Sequence, residues 1–340
     1  MAAGSACRHA PNMKIALFIG YRLDWHLNEV LKVVERDFGH KCILFDPSRP
    51  FEMCFDPNRP DGIMLEGVQY SIGCVWWRWK PYIDNEFRRS GDHESYQNLE
   101  WNCLLKSIWL FNEHVSVHKY DNAVRYNEKL IQTNIARSIG FKSLESICTN
   151  KRSSILQCLE LHRHVVKPLR IAVIKNSAGE DEFLSTSELT KSHLNEIEDS
   201  ELVRSVTYIQ SFVDKKYEVR LNYIFGRIFA RIFSKSKIME MFGKDLVDWR
   251  YVYEVHNRLD DFSDPFEPNG NLIALIEAYV RATGLNLICF DFVSDGNDLF
   301  FLEANPDGQW GWLGDQEGSV GRVAEAIDGM MVHGAWETKA

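Results

Sequence analysis

The 340-residue sequence predicts a mixed fold, an α/β part followed by an α+β part, and three observations carry that reading. Met13-Lys-Ile-Ala-Leu-Phe-Ile-Gly20 reads as a buried strand, and the stretch behind it runs helix then strand, the pattern of a parallel α/β domain. From Tyr217 to Phe225 polar and apolar residues alternate as a half-buried strand should. Near the C-terminus Leu-Ile-Cys-Phe-Asp291-Phe-Val and Leu-Phe-Phe-Leu-Glu303-Ala-Asn305 flank Ser294-Asp295-Gly296-Asn297, strong turn chemistry for a hairpin.

Taken in order, Trp25 to Phe38 has helical periodicity, with Leu27, Val30, Leu31 and Val34 on one face and Gly39 to end it. Lys41 to Phe45 gives the second strand, and Gly62 to Leu65 and Cys74 to Trp77 give two more before a helix over Tyr96 to Leu110. Val-Trp-Trp-Arg78-Trp79-Lys80-Pro81 gathers aromatics and cations at a strand end. It suits either a core-edge cluster with Arg stacked on Trp or a surface that receives an acidic or phosphorylated substrate. Glu128 to Gly140 is an amphipathic helix closed by glycine. Its Lys129 sits in the first turn, where the helix dipole disfavours a cation and points to a compensating anion.

A helix over Ser153 to Leu161 leads into His164-Val-Val-Lys167-Pro168, where a cation interrupts an apolar strand and requires a counter-charge. Arg170 to Ser200 is polar and irregular and is expected to be a mobile loop. Val206 to Val213 forms a strand, Tyr217 to Phe225 another, and Gly226-Arg turns the chain into Ile228 to Phe233. Glu218 and Arg220 share a face of their strand, which fits a Glu–Arg pair on a sheet surface or a functional pair. Asp248-Trp-Arg250 follows a charged stretch, and Gly270 to Thr283 is a helix. No repeat or low-complexity tract separates these parts.

Composition excludes several classes. Apolar and charged fractions are those of an ordinary globular protein, and a net charge of −9 argues against a nucleic-acid partner. No run is long enough to cross a membrane, and the first twelve residues lack a secretory signal. They are expected to be a disordered tail without function. Eight cysteines, with no Cys-x-x-Cys pair and no zinc-like His spacing, fit reduced, mostly buried thiols of a cytoplasmic protein.

The hairpin carries the chemistry. Pairing its strands places the Asp291 carboxylate beside that of Glu303, and the two-residue step keeps Asn305 on the Glu303 face. Two carboxylates and an amide oxygen form a hard-cation site suited to Mg²⁺ rather than Zn²⁺, with water and substrate phosphates to complete the shell. Glu303 and Asn305 stand directly after Leu-Phe-Phe-Leu, where burial without a partner would be costly.

The ordered set Lys129, Lys167, Gln210 to Val213, Glu218-x-Arg220, Asp291, Glu303 and Asn305 resembles the ATP-grasp superfamily, including its ribosomal-protein-S6-type glutamate ligases. A narrower resemblance runs from Met13 onward. Val-Trp-Trp-Arg-Trp-Lys-Pro, Asn-Glu-Lys-Leu-Ile-Gln, Val-Val-Lys-Pro-Leu, Gln-Ser-Phe-Val-x-x-x-Tyr-Glu-Val-Arg, Val-Asp-Trp-Arg and Leu-Glu-Ala-Asn-Pro-Asp-Gly-Gln-Trp are similar to graspetide, or microviridin-type, synthetases. These close side-chain esters and amides in precursor peptides. Departures are Leu-Arg-Ile-Ala after Pro168 where glycines are frequent, Ser211 where an acid is common, and Trp79-Lys80 in place of paired arginines.

The resemblance implies an ATP-grasp fold in three parts: an N-terminal α/β (pre-ATP-grasp) domain over 13–120, a small central lid over 121–205 and a C-terminal antiparallel-sheet domain over 206–336. It implies ATP and two Mg²⁺ ions, with Mn²⁺ as a substitute. Lys129 and Lys167 would bind phosphate, Gln210, Ser211, Phe212 and Val213 would meet adenine, and Glu218 the ribose. Arg220 and Arg250 would surround the transferring phosphate and the acyl acceptor, and Asp291, Glu303 and Asn305 would hold metal. The implied activity is carboxylate activation as acyl phosphate, followed by amide or ester formation on a precursor peptide. Joining free amino acids, adding one to a peptide, and silent nucleotide binding are the alternatives, and a homodimer is a further expectation.

Overall fold

The computed structural model describes residues 13–46, 49, 52–78, 93–169, 173–175, 181–183, 186–243, 259–306, 308–311, 313 and 316–336. The chain divides into two compact units, one of residues 1–122, 224–227 and 316–340 and one of residues 123–223 and 228–315. No division falls near 205, and the residues after 315 group with the first unit instead of with 206–315.

The first unit is built on strands β1 (Met13–Ile19), β2 (Lys41–Phe45), β3 (Met53–Cys54), β4 (Gly62–Leu65) and β5 (Val68–Trp77), in the order β2-β1-β5-β4-β3. Pairings of β1 with β2 and β5 are parallel, whereas β4 and β3 add in antiparallel fashion, so the expected parallel sheet is a mixed one. β1 is an interior strand, flanked by β2 and β5, and its apolar run is buried over five successive residues instead of alternating. Helix α1 (Trp25–Phe38) begins at Asp24, whose carboxylate caps the N–H groups of His26 and Leu27, and stops at Gly39 with φ +68°. Helix α2 (His93–Phe111) and a short 3₁₀ turn, Glu113–Val115, follow.

Arg78 takes the core-edge option. Its side chain is 2% exposed, its Nε donates to Asp24 Oδ2 at 3.0 Å, and its guanidinium lies 5.7 Å from the Trp76 ring. Trp79, Lys80 and Pro81 lie outside the described residues. Seven cysteines are described, all free, but only Cys42, Cys74 and Cys289 are buried, and Cys54 and Cys103 are exposed. The expectation of mostly buried thiols therefore fails, because Cys54 lies on the short strand β3 and Cys103 on an outward face of α2.

In the second unit, helices α3 (Tyr120–Arg125, entering from the first unit) and α4 (Lys129–Ile139) precede strand β6 (Ser146–Thr149), helix α5 (Arg152–Leu161) and strand β7 (His164–Lys167). The segment 170–200, expected to be a loop, holds strands β8 (Val173–Lys175), β9 (Asp181–Phe183) and β10 (Ser187–Leu189) and helices α6 (Lys191–Asn195) and α7 (Asp199–Leu202). β10 is the edge strand of an antiparallel sheet ordered β10-β7-β11-β6, in which β11 is Thr207–Ser211. Its polarity is that of an edge strand. The apolar residues of this segment are too sparse to show a period, yet Leu189, Leu194 and Leu202 pack with Ile155 and Ile209.

Strands β12 (Tyr217–Ile224) and β13 (Arg227–Ser234), helices α8 (Lys235–Phe242) and α9 (Leu259–Phe262), strand β14 (Ser263–Pro265), helix α10 (Gly270–Thr283) and strands β15 (Leu287–Ser294) and β16 (Leu299–Asn305) complete the unit. The sheet order is β14-β13-β12-β15-β16. Its core joins Phe290, Phe292 and Phe301 to Tyr279 and Ile276 of α10 and to Phe141 behind α4. A last helix, α11 (Gln316–His333), was not predicted, and it packs on α1 within the first unit, with His40 Nε2 2.7 Å from Asp328 Oδ1. No described helix is long and apolar enough to cross a membrane.

Candidate functional site

The second unit contains an open cleft of about 120 Å³. One wall is the β15–β16 hairpin. Asp291 stands opposite Glu303, as expected from sequence, and Cys289 stands opposite Asn305. The route to that register was not expected, because the pairing shifts between Asp291 and Phe292 and leaves Leu302 as an extra residue. A bulge lets neighbouring residues on one strand face the same side. Leu302, Glu303 and Asp291 accordingly all line the cleft, while Phe301 and Ala304 stay in the core three residues apart.

Helix α4 supplies the second wall. Lys129 is its first residue, and its Nζ donates to Pro168 O at 2.9 Å and lies 3.6 Å from Glu303 Oε2. The anion that the helix dipole called for is thus the Glu303 carboxylate. Lys167, at the end of β7, also lines the cleft and is half-buried.

The third wall is the end of β11. Gln210 is 2% exposed, and its Oε1 is buried with no hydrogen-bond partner. Ser211 N–H donates to Glu145 O and Phe212 N–H to Arg163 O, both at 2.9 Å, so these two donors are already used within the protein. The Arg163 guanidinium stacks 3.9 Å from the Phe212 ring. Val213 lies beside them in the lining.

Across the mouth, Glu218 is ion-paired with Lys215, and Lys235 Nζ lies 2.9 Å from Asp214 Oδ1. Lys215 and Lys235 line the cleft and were absent from the sequence-derived set. Lys215 carried a legible signal, a cation three residues ahead of Glu218. With them the lining holds four lysines, Lys129, Lys167, Lys215 and Lys235, against three carboxylates, Glu218, Asp291 and Glu303. An excess of cations in the lining favours an anion in this cleft.

Two described sequence-derived residues, Arg220 and Asn305, stand apart from the lining. Arg220 is 6% exposed and donates from Nη1 to Asp291 Oδ2 at 2.6 Å and from Nη2 to Gln309 O at 3.1 Å. Burial would lower its pKa, but the charge of Asp291 prevails and raises it, so the guanidinium stays ionised. It supports the Asp291 carboxylate, and it does not pair with Glu218. Asn305 is held on the Glu303 face by its register. Arg250 lies outside the described residues.

The segment after β16 folds back over this support. A Cβ on Gly308 would lie 2.6 Å from both Cβ and Sγ of Cys289 and 3.0 Å from Arg220 Nη2, so only glycine fits. Trp310 is fully buried, and Asn222 Nδ2 donates to its carbonyl at 3.0 Å. The donors around Asp291 are hard oxygens, which suit Mg²⁺. Among the described residues no group of three or more His, Cys, Asp or Glu side chains converges.

No family model and no curated protein matches the sequence. Solved structures do match its fold. The macrocyclase MdnC from Microcystis aeruginosa MRC, bound with precursor peptide MdnA, is 18% identical, with a TM-score of 0.72 over 92% of this chain and 99% of that one. A RiPP-associated ATP-grasp ligase from Chryseobacterium gregarium, in complex with ADP and a leader and core peptide, is 20% identical, with a TM-score of 0.74 over 95% of this chain and 98% of that one. The ATP-grasp ligase PsnB with a minimal precursor is 16% identical, with a TM-score of 0.70 over 93% and 98% of the two chains. The chain therefore has the ATP-grasp fold, of the form these peptide-bound ligases share.

Proposed function

We propose that this protein is an ATP-dependent ligase that activates a carboxylate as an acyl phosphate and passes the acyl group to an amine or hydroxyl, both on side chains of one precursor peptide. The observation that carries the reading is the cleft in which Lys129 and Lys167 face the Asp291–Glu303 pair. Cations for phosphate and carboxylates for a divalent ion are the two halves of a phosphoryl-transfer site. Structures of PsnB with precursor, Mg and ADP, and of MdnC with its precursor peptide, support nucleotide, metal and peptide here.

Lys129 and Lys167 would hold phosphate oxygens, and the buried acceptor Gln210 Oε1 suits an amino group on the base. Since Ser211 and Phe212 N–H groups are used in the sheet, recognition there would fall to the carbonyls and to Val213. Glu218 would meet the ribose after release from Lys215. Asp291, Glu303 and Asn305 would hold Mg²⁺, as two ions with Mn²⁺ able to substitute, and the bound metal would draw charge from the phosphate oxygens. Arg220 would fix Asp291, and Arg250 would stand by the acyl acceptor.

The carboxylate oxygen attacks the γ-phosphorus, the bond from that phosphorus to ADP breaks, and ADP leaves with the electron pair. An amine or hydroxyl then attacks the acyl carbon and loses its proton, the carbon–oxygen bond to phosphate breaks, and phosphate departs. The peptide loses one water per bond. Within 121–205, the part that follows α4 would close as a lid, because water in the site would hydrolyse the acyl phosphate.

The test is incubation with Mg²⁺, ATP and short peptides rich in Thr, Ser, Asp, Glu and Lys. Peptide-dependent ADP release with loss of one water per bond is expected. A gain of mass would assign amino-acid addition, and nucleotide binding without ADP formation from any acid would assign a silent binding protein.

A further inference from the structure

Gln132 belongs to none of the roles above, yet it is fully buried and both ends of its amide are bonded. Nε2 donates to Tyr126 O at 2.8 Å, and Oε1 accepts from Ala304 N–H at 3.1 Å. Ala304 is the residue between Glu303 and Asn305. Gln132 lies one helical turn after Lys129, on the same side of α4. One side chain therefore ties the helix that carries the phosphate-facing lysine to the backbone between two candidate metal ligands.

The need for such a tie follows from topology. β16 is an edge strand, and a bulge interrupts its pairing with β15 just before Glu303. Edge strands carry backbone donors that a sheet does not satisfy, and bulges loosen the ladder. Here the outer donors are met from the α4 side, Phe301 N–H by Lys142 O at 2.8 Å and Ala304 N–H by Gln132. The first bond is between backbones. The second depends on one side chain, and it sits where the 3.6 Å spacing of Lys129 and Glu303 is set.

We infer that Gln132 is a positioning residue, whose amide holds Lys129 in register with Glu303 and Asn305 so that phosphate and Mg²⁺ are bound together. The inference rests on the nucleotide reading of the cleft. A loss of registry by about 1 Å is enough to cost two orders of magnitude in a preorganised site, so the effect should exceed that of a single lost contact.

The experiment measures calorimetric affinity of the full chain for ADP with Mg²⁺ at pH 6 and pH 8.5, in wild type, Gln132→Met and Gln132→Glu. Methionine keeps the size and removes both bonds. Glutamate in this dry position has a raised pKa, so at the lower pH its protonated carboxyl can again donate to Tyr126 O and accept from Ala304 N–H. Gln132→Met should bind at least about tenfold more weakly at both pH values, and it should also melt lower, because Ala304 N–H and Tyr126 O lose their buried partner. Gln132→Glu should be as weak at pH 8.5 and recover to near wild type at pH 6. A purely structural role would move melting temperature but not this pH-dependent affinity.

Should Gln132→Met fail to fold, the two pH values still compare folded Gln132→Glu with itself. Wild-type affinity in both variants at both pH values overturns the inference while leaving the nucleotide reading standing. Failure of both variants to fold assigns Gln132 to structure alone and also overturns it. Absence of any ADP binding by wild type refutes the nucleotide reading and this inference with it.

Discussion

Arg220→Met isolates the support given to the Asp291 carboxylate. The Arg220 Nη1 to Asp291 Oδ2 separation is 2.6 Å, and the two side chains are 7% and 16% exposed. Coulomb attraction at that distance and an effective dielectric near 20 is about 6 kcal/mol, from which the desolvation of both groups must be subtracted. Removing one partner from such a pair costs about 3–5 kcal/mol, since it leaves a half-buried charge without its cation. Losing the bond to Gln309 O adds to that side of the balance.

Guanidinium denaturation followed by circular dichroism should therefore place Arg220→Met about 3–5 kcal/mol below wild type. Arg220→Lys, which keeps charge but cannot span Asp291 and Gln309 with one planar fork, should fall in between. Millimolar Mg²⁺ should stabilise Arg220→Met more than wild type, because the cation then replaces the one removed. A variant as stable as wild type, or one with no added response to Mg²⁺, would show that Arg220 does not neutralise Asp291.

Two further perturbations test the account elsewhere. In the first unit burial opposes ionisation of Asp24, but hydrogen bonds and charge from His26 and Arg78 win and hold its carboxyl well below the usual range. A depressed folded-state pKa means stabilisation that is complete above the unfolded value, about 3.8, and drains away as pH falls below it. Asp24→Asn keeps the helix cap and loses the charge, so it should cost about 1.5–3 kcal/mol in urea melts at pH 7 and less near pH 3; a pH-independent difference would refute the pairing. Gly308→Ala should destabilise by about 1–3 kcal/mol through the contact with Cys289. It should also weaken binding of Mg²⁺ with ADP, and unchanged melting and binding would contradict the close packing of Gly308 on Arg220.

Helices α1 and α10 were legible to their end residues because each is a full amphipathic segment stopped by a left-handed glycine, Gly39 and Gly284. The facing of Asp291 and Glu303 was legible because turn chemistry and alternation agreed. The bulge at Leu302 was not, although Phe301 and Ala304 reaching the core three residues apart is its trace. Strands β8 to β10 were missed because they hold three residues each, too few for a period to show. Gln132 was hidden for another reason. A glutamine on an amphipathic helix reads as a solvated position, and only tertiary packing brings Ala304 N–H to it.

The central claim is that Lys129, Lys167, Asp291 and Glu303 form one site for nucleotide and metal together. Calorimetric titration of wild type and Glu303→Gln with a non-hydrolysable ATP analogue, with and without Mg²⁺, tests it most directly, with Asp37→Asn as a control on exposed residues of α1. Wild type and the control should bind saturably and more tightly with Mg²⁺, while Glu303→Gln, folded by circular dichroism, should lose that Mg²⁺ dependence. Absence of binding by wild type, or the same Mg²⁺ dependence in Glu303→Gln, would contradict the account.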